Sequence, residues 1–279
     1  MYPYFELFGR TIGTYAIAAL IGFAFSALLI WRLCRTKGIG DGDVILLVLS
    51  MAIGVFLGGK LLYGLTQWPL IVEAFGSLTS PEVLFSKLQT AFNGMVFYGG
   101  FFGSLGAVWL YTHFNKSIAT PFAMELMGLV TPLFHTFGRI GCFFAGCCYG
   151  IPCQWGITIS GNHLIPELND VSRLPIQLIE AGANLLIFGI LAFLYGRNGR
   201  RPSLLSLYTL LYAPLRFVLE FFRGDEIRGI WLGLSTSQWI SLGLVIVVLL
   251  HLLLSPSKTA IDSPSTVKYN TTTNDLEEN

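Results

Sequence analysis

Charge is what this sequence has least of. Only 12% of its 279 residues are Asp, Glu, Lys or Arg, and the net charge is +1. A water-soluble domain carries roughly 25% charged residues, so that class is excluded. The near-zero balance also removes any chain-wide electrostatic case for nucleic acid or an acidic partner. The first eight residues, Met1 to Phe8, lack a basic segment and a small-residue cleavage pattern. No removable signal peptide is expected there. Cysteine is scarce as well, with five residues, of which Cys142, Cys147, Cys148 and Cys153 fall within twelve positions. Their spacing is not a standard zinc pattern. The paired half-helices and inverted repeats of a transporter are also missing.

Apolar residues fill the space that charge leaves. They make up 53% of the chain, and the mean hydropathy is +0.65. A membrane-crossing helix needs about 20 mostly apolar residues. Seven stretches qualify: Thr11–Leu33, Val44–Leu65, Gly94–His113, Phe122–Phe144, Ile176–Tyr195, Leu204–Phe222 and Thr236–Leu254. The expectation is an all-α polytopic membrane protein, a bundle of seven transmembrane helices forming one domain over residues 1–254. Basic residues concentrate in alternate loops, at Arg32, Arg35 and Lys37, at Lys116, and at Arg197, Arg200 and Arg201, and Lys258 opens the tail. The positive-inside rule then places the N-terminus outside and the C-terminus in the cytoplasm. Residues 255–279, rich in Ser, Thr, Asn and acids, read as a disordered cytoplasmic tail. The loop Thr66–Asn93 either lies along the outer interface or simply connects two spans. Gly54-x-x-x-Gly58 and Gly99-x-x-x-Gly103 predict close packing of the second and third spans.

A few charges lie inside the apolar stretches: Lys60, Glu125, Arg139, Glu180, Arg216 and Glu220, with Arg223 at the end of the sixth. An arginine near the bilayer centre costs about 3 kcal/mol on insertion scales, so each needs a partner or a task. His135, Arg139 and Cys142 follow i, i+4, i+7 and share one helix face, and Arg216, Glu220 and Arg223 repeat that spacing. One carboxylate between two arginines leaves positive charge over. With Arg139 and Lys60 added, a cationic cavity open to the outer leaflet is expected. A guanidinium fork suits phosphate, and a phospholipid headgroup is the nearest source of one. The competing reading pairs these arginines structurally with Glu180, Glu125 or backbone carbonyls. Tyr98 and Tyr15 serve either as interfacial anchors or as hydrogen-bonding acid/base groups. His135 is a packing residue or a proton carrier. For the cysteines, packing ranks first, a disulfide of Cys147 or Cys148 with Cys153 second, and a metal third.

These residues carry a resemblance to the bacterial prolipoprotein diacylglyceryl transferase family. Its signature, Gly-Arg-x-Gly-Asn-Phe-x-Asn-Gly-Glu-x-x-Gly, is similar to the run from Gly138 and Arg139 through Gly141, Cys142, Phe143, Ala145, Gly146 and Cys147 to Gly150. Gly54 to Lys60 resembles the family's second-span motif, with Lys for Arg. Met95 to Gly100 resembles its His-Gly-Gly segment, and Leu174 to Glu180 its Pro-Ser-Gln-Leu-Tyr-Glu motif. Arg216, Glu220 and Arg223 match an Arg-x3-Glu-x2-Arg motif, Leu234 to Ser241 looks like the start of the last span, and Tyr15 falls at a functional tyrosine. The resemblance runs from about Gly9 to Leu254.

The resemblance implies a seven-helix bundle in the bacterial cytoplasmic (inner) membrane, its active site toward the periplasm. The reaction implied moves a diacylglyceryl group from phosphatidylglycerol to the lipobox cysteine in a prolipoprotein signal peptide. A thioether forms and glycerol-1-phosphate leaves. Arg139, Arg216, Tyr98 and His135 are then the expected catalytic residues. Gly138, Arg139, Tyr15, Lys60, Gly99, Gly100, Glu220 and Arg223 are expected to bind the lipid. No cofactor and no metal are expected. Departures are specific: Tyr98 replaces the family's histidine, Cys142 and Ala145 its asparagines, and Cys147 its glutamate. They motivate two other readings, a diverged paralogue with the same donor and another acceptor, and a non-enzymatic lipid-binding or transport protein.

Overall fold

The computed structural model describes residues 4–7, 9–76, 81–158, 160, 166–197, 201–225 and 230–254. The tail expected to be disordered, 255–279, lies outside the described residues, as do the loop charges Arg200, Glu226, Arg228 and Lys258. Along the chain come β1 (Tyr4–Leu7), β2 (Arg10–Gly13), α1 (Thr14–Arg35), α2 (Asp41–Thr66), α3 (Trp68–Gly76), α4 (Pro81–Ala91), α5 (Phe97–Phe114) and α6 (Thr120–Ala145). There follow β3 (Pro152–Thr158), β4 (Ser172–Arg173), α7 (Ile176–Gly196), α8 (Leu204–Glu220), β5 (Ile230–Trp231), β6 (Leu234–Ser235) and α9 (Thr236–Leu254). Seven of these helices coincide with the seven apolar stretches. Among the described residues, four helices, α1, α2, α7 and α9, are long and apolar enough to cross a membrane.

Two features refine the all-helical expectation. The loop Thr66–Asn93 is folded, with α3 and α4 joined across by a Lys87–Glu73 ion pair of 3.0 Å. Three short antiparallel pairs, β1–β2, β3–β4 and β5–β6, also occur. The tight turns that close two of them need left-handed backbone, supplied by Gly9 (φ 72°) and by Leu232 and Gly233 (φ 50° and 77°). α8 ends at Glu220, two residues before the apolar stretch does. There the Phe222 carbonyl leaves the helix to accept from the Ile151 amide at 3.0 Å.

The described residues fall into two compact units, one of residues 4–29 and 125–254 and the other of residues 30–124. In the second unit, α2 and α5 meet along a glycine seam. A Cβ added to Gly58 would run into the Gly99 carbonyl, and one added to Gly103 into the Gly54 carbonyl. Only glycine lets two backbones approach this closely. Asp43 holds the far end of the pair, accepting from Asn115 Nδ2 at 2.9 Å and from the Tyr111 hydroxyl at 3.3 Å. Lys60 donates to the carbonyls of Phe92 and Asn93 at 2.9 and 3.4 Å, which ties the entry of α5 to α2. Tyr98 is buried against Phe97 and Phe102, and Gly100 packs beside Val55.

In the first unit, Gly22 of α1 lies where a Cβ would come 2.7 Å from Phe137 Cβ, and Phe25 stacks on Phe137 at 5.5 Å. Glu125 accepts from the Leu204 amide at 2.8 Å and pairs with Arg201 at 2.7 Å. It thereby satisfies an orphan donor at the start of α8. The end of α6, the start of α7 and the end of α8 carry the remaining buried charges, Arg139, Glu180, Arg216 and Glu220.

Candidate active site

The site grows from a stripe on each of three helices. On α8, Tyr208, Tyr212, Arg216 and Glu220 recur every four residues, and all four are buried. On α6, His135 and Arg139 are one turn apart. On α7, Gln177, Glu180 and Asn184 follow i, i+3, i+7 and are 2% exposed or less. Glu180 is the hub. Its Oε1 lies 2.9 Å from Nη2 of Arg139 and 3.8 Å from Nε2 of His135, and it accepts from the Tyr212 hydroxyl at 2.6 Å. Nε of Arg139 donates to Nε2 of His135 at 3.3 Å. With Nε2 accepting, Nδ1 carries the proton of the neutral ring, 3.4 Å from the Tyr208 hydroxyl. The imidazole edge meets Tyr212, which stacks on Tyr208 at 5.4 Å. His135 therefore orients Arg139.

Arg216 lies farther along the α8 stripe. Its Nη2 is 2.6 Å from Glu220 and donates to Ser237 of α9 at 3.3 Å, while its buried Nη1 makes no hydrogen bond among the described residues. The expected sharing of Glu220 between Arg216 and Arg223 is corrected. Arg223 lies just past the helix end and forks onto Asp225 through two bonds of 3.1 and 2.7 Å. Each of the three arginines thus has its own carboxylate, so among the described residues these three leave no surplus positive charge. Burial alone would depress the Arg223 guanidinium; its hydrogen bonds to Asp225, with the electrostatic pull of Cys148 and Asp225, raise it instead.

A platform of loops closes this end. The Gly146 and Cys147 amides bond back to the carbonyls of Phe143 and Cys142, and Gly146 and Cys148 take φ of 77° and 57°. Gly150 bridges to Arg223, the Gly224 amide donates to the Tyr149 carbonyl at 2.9 Å, and Leu174 donates to Ile151 at 3.0 Å. Arg173 lies over the Tyr149 ring at 4.8 Å. Gln177 donates to the Cys147 carbonyl at 2.8 Å. All five cysteines are free thiols, so no disulfide joins Cys147 or Cys148 to Cys153 here. The sulfurs of Cys142, Cys147 and Cys148 cluster together. Hydrogen bonds from Cys142 and Cys147 and the Arg139 and Arg223 charges hold the Cys148 thiol below the ordinary range, against burial.

The structure brings together His135, Arg139, Arg216 and Glu220 as buried residues of α6 and α8, with half-buried Gly138 next to Arg139 in the chain, and places Arg223 in the adjoining platform. Tyr15 of α1 packs against Gly141, where a Cβ would meet its ring at 3.1 Å. Lys60, Tyr98, Gly99 and Gly100 belong to the second unit, where Lys60 holds carbonyls and Gly99 forms the helix seam. Four contributors were not among the expected site residues: Glu180, Tyr212, Tyr208 and Gln177. A signal for the tyrosines existed, since they continue the four-residue spacing of Arg216 and Glu220 backward along α8.

A family model described as prolipoprotein diacylglyceryl transferase matches residues 3–254. The phosphatidylglycerol–prolipoprotein diacylglyceryl transferase of Clostridium tetani (strain Massachusetts / E88) is 32% identical over 248 residues, 87% of this chain and 93% of the relative. The enzyme named phosphatidylglycerol–prolipoprotein diacylglyceryl transferase 2 of Clostridium perfringens (strain 13 / Type A) is 31% identical over 247 residues, 86% and 90% of the two chains. The corresponding protein of Geobacter sulfurreducens is 30% identical over 248 residues, 84% and 89%. With the match running through every helix that carries the buried arginine pairs, this chain belongs to the prolipoprotein diacylglyceryl transferase family.

Proposed function

We propose that this chain transfers a diacylglyceryl group from phosphatidylglycerol to the lipobox cysteine of a prolipoprotein, the activity for which its relatives are named. The observation that carries the reading is Arg216: a buried guanidinium, oriented by Glu220 and Ser237, whose Nη1 has no hydrogen-bond partner among the described residues. A phosphate oxygen is the natural acceptor for such a group. In the reaction a thiolate attacks a carbon whose leaving group is a phosphate, and charge builds on the departing oxygens. Arg216 and Arg139 stabilise that charge from fixed positions. Arg139 is oriented by Glu180 and His135. Gly138 leaves space beside it, and Tyr15 flanks Gly141 on the same helix. Arg223 supports the lipid end of the site. The resemblance gives Tyr98 the place of the family's histidine and assigns Lys60, Gly99 and Gly100 to the lipid; within the second unit Lys60 holds the Phe92 and Asn93 carbonyls and Gly99 packs in the helix seam.

In this reading residues 1–254 form one membrane domain of seven spans, N-terminus outside and C-terminus cytoplasmic. The membrane is the bacterial inner membrane, and the site opens to the periplasmic leaflet. The alternation of positive loops along the chain supports it, as does the placement of Arg197 and Arg201 between α7 and α8, at the other end of those helices from Glu180 and Glu220. The test is purified protein incubated with phosphatidylglycerol and a lipobox peptide, followed by mass spectrometry. A peptide heavier by one diacylglyceryl group is expected; an unmodified peptide in the presence of bound phospholipid overturns the reading.

A second reading keeps the phospholipid donor and changes the acceptor. Cys142, Ala145 and Cys147 favour it, because they replace the polar groups at the signature. Complementation of a strain depleted of its own transferase separates the two, and failure despite normal membrane insertion selects the second.

A further inference from the structure

The three sulfurs of Cys142, Cys147 and Cys148 all lie within 4.8 Å of one another. They reach that position by backbone geometry rather than by sequence spacing. Cys142 sits on the last turn of α6. Gly146 then turns the chain back with a left-handed φ of 77°, and Cys148 itself adopts a φ of 57°. A non-glycine residue rarely takes that conformation, and where one does the surroundings hold it there. Here the holding is explicit. Cys147 is fixed by its amide bond to the Cys142 carbonyl and by Gln177 on its own carbonyl at 2.8 Å. The following residues are pinned by Gly224 and by the Gly150–Arg223 bridge.

Three thiols gathered in this way have one chemistry that simple packing does not explain. A tetrahedral zinc ion with bonds of about 2.3 Å to sulfur places its sulfurs about 3.8 Å apart, so the cluster needs to contract by at most about an ångström. Three protein ligands leave the fourth position open, the arrangement of a zinc that does chemistry rather than one that only staples. Three thiolates around a divalent ion carry a net negative charge, and Arg139, on the same helix as Cys142, and Arg223, bridged to Gly150 just past Cys148, are cations beside the segment. Cys153, on β3, is outside the group.

We propose that Cys142, Cys147 and Cys148 form a thiolate site for a zinc-like divalent ion, whose open fourth position takes the thiol of the acceptor. The inference rests on the transfer reading above for the identity of the fourth ligand, and it departs from the expectation that no metal is involved. It also answers a chemical need. The family's histidine, two asparagines and glutamate are Tyr98, Cys142, Ala145 and Cys147 here, while a free thiol has a pKa of about 8.5 and needs help to ionise. A thiol bound to the metal loses its proton outright. That proton passes to water. The acceptor sulfur then supplies the electron pair for the new carbon–sulfur bond, the carbon–oxygen bond to phosphate breaks, and glycerol phosphate leaves with that bond's electrons. The ion keeps its oxidation state throughout.

The experiment uses the full chain, purified under reducing conditions in detergent or nanodiscs. Zinc content is measured by elemental analysis, and the protein stripped of metal is titrated with cobalt(II). The expected result is about one ion per chain, with the intense sulfur-to-cobalt absorption and strong visible bands of a tetrahedral site. Cys147→Ser and Cys148→Ser are expected to weaken binding by tenfold or more, while Cys153→Ser binds as the parent does. Adding a lipobox peptide shifts the visible cobalt bands, and the same peptide with Cys→Ser does not. Size-exclusion profiles of the variants verify that they fold. Absence of stoichiometric metal with all three thiols reactive overturns the proposal, as does equal binding by the Cys148→Ser variant. Because these readouts need no turnover, they stand apart from the transfer assay. A metal-free protein that transfers at full rate sinks the metal and keeps the transfer reading, whereas a loaded protein that modifies no peptide sinks the transfer reading and the acceptor's role with it.

Discussion

Nη2 of Arg139 lies 2.9 Å from Oε1 of Glu180, and the two side chains are 10% and 2% exposed. This pair is how an apolar helix tolerates an arginine. Desolvation of each ion is offset by the other, by the Tyr212 hydroxyl on the carboxylate and by His135 on the guanidinium. The same arrangement recurs at Arg216 with Glu220 and at Arg223 with Asp225. Charge neutrality inside the unit fits the cost of bare charge in a membrane. A phosphate entering the site must therefore compete for hydrogen bonds rather than cancel a surplus charge, and the open Nη1 of Arg216 is the donor already available to it.

Removing one member of the Arg139–Glu180 pair leaves the other charge buried and unpaired. Glu180→Gln and Arg139→Gln are each expected to cost about 3–5 kcal/mol of stability, read as a lower unfolding temperature in detergent. Both variants lose transfer activity. The double variant recovers much of the unfolding temperature and none of the activity, because stability needs only a neutral pair whereas the reaction needs the guanidinium.

Arg216→Lys tests the fork. Lysine keeps the charge but reaches with a single point donor and cannot hold Glu220, Ser237 and a phosphate together. Transfer is expected to fall by about 10²–10³-fold, mostly in kcat, while Arg216→Lys stays folded. Initial rates against phosphatidylglycerol in mixed micelles separate kcat from KM.

Tyr212→Phe removes one hydroxyl from the Glu180 carboxylate and leaves the stacking on Tyr208. A hydrogen bond to a buried charged group contributes about 1.5–3 kcal/mol, so a measurable drop in unfolding temperature is expected. Tyr208→Phe, whose hydroxyl meets the neutral His135 at a longer 3.4 Å, is expected to cost less.

Glu125→Ala separates a buried charge with a structural task from those of the site. It breaks the pair with Arg201 and frees the Leu204 amide, so the yield of folded protein falls. The folded fraction is expected to retain its specific transfer rate, measured per unit of monodisperse protein.

Gly58→Leu forces α2 and α5 apart, since even a Cβ there meets the Gly99 carbonyl. Loss of folded protein is expected. Gly106→Leu, on α5 at a position with nothing within 4 Å of an added Cβ, is the control and is expected to accumulate normally.

Much of this was legible in the residues. Long apolar runs end where charge begins, so seven helices appeared within a few residues of their observed bounds. The glycine pairs announced the α2–α5 seam because no other residue permits that approach. Helical spacing put His135 with Arg139 and Arg216 with Glu220. The motifs from Gly138 to Gly150 and from Arg216 to Arg223 carried the family.

By itself, then, the sequence determined the helices, their apolar faces, the buried arginines and the family, because each follows from local composition and the 3.6-residue turn. Only the tertiary structure decided which carboxylate meets which arginine. Glu180 is 41 positions from Arg139 in the chain, and Asp225 displaced Glu220 as the partner of Arg223 only because the platform loop turns there. The stretch from Cys142 to Cys148 shows the same division. Its spacing fits no linear metal pattern, yet two left-handed residues, Gly146 and Cys148, fold its three sulfurs together. Backbone turns of that kind depend on what holds them from outside the segment, here Gln177 and the Gly150–Arg223 bridge, and such partners are set by the fold.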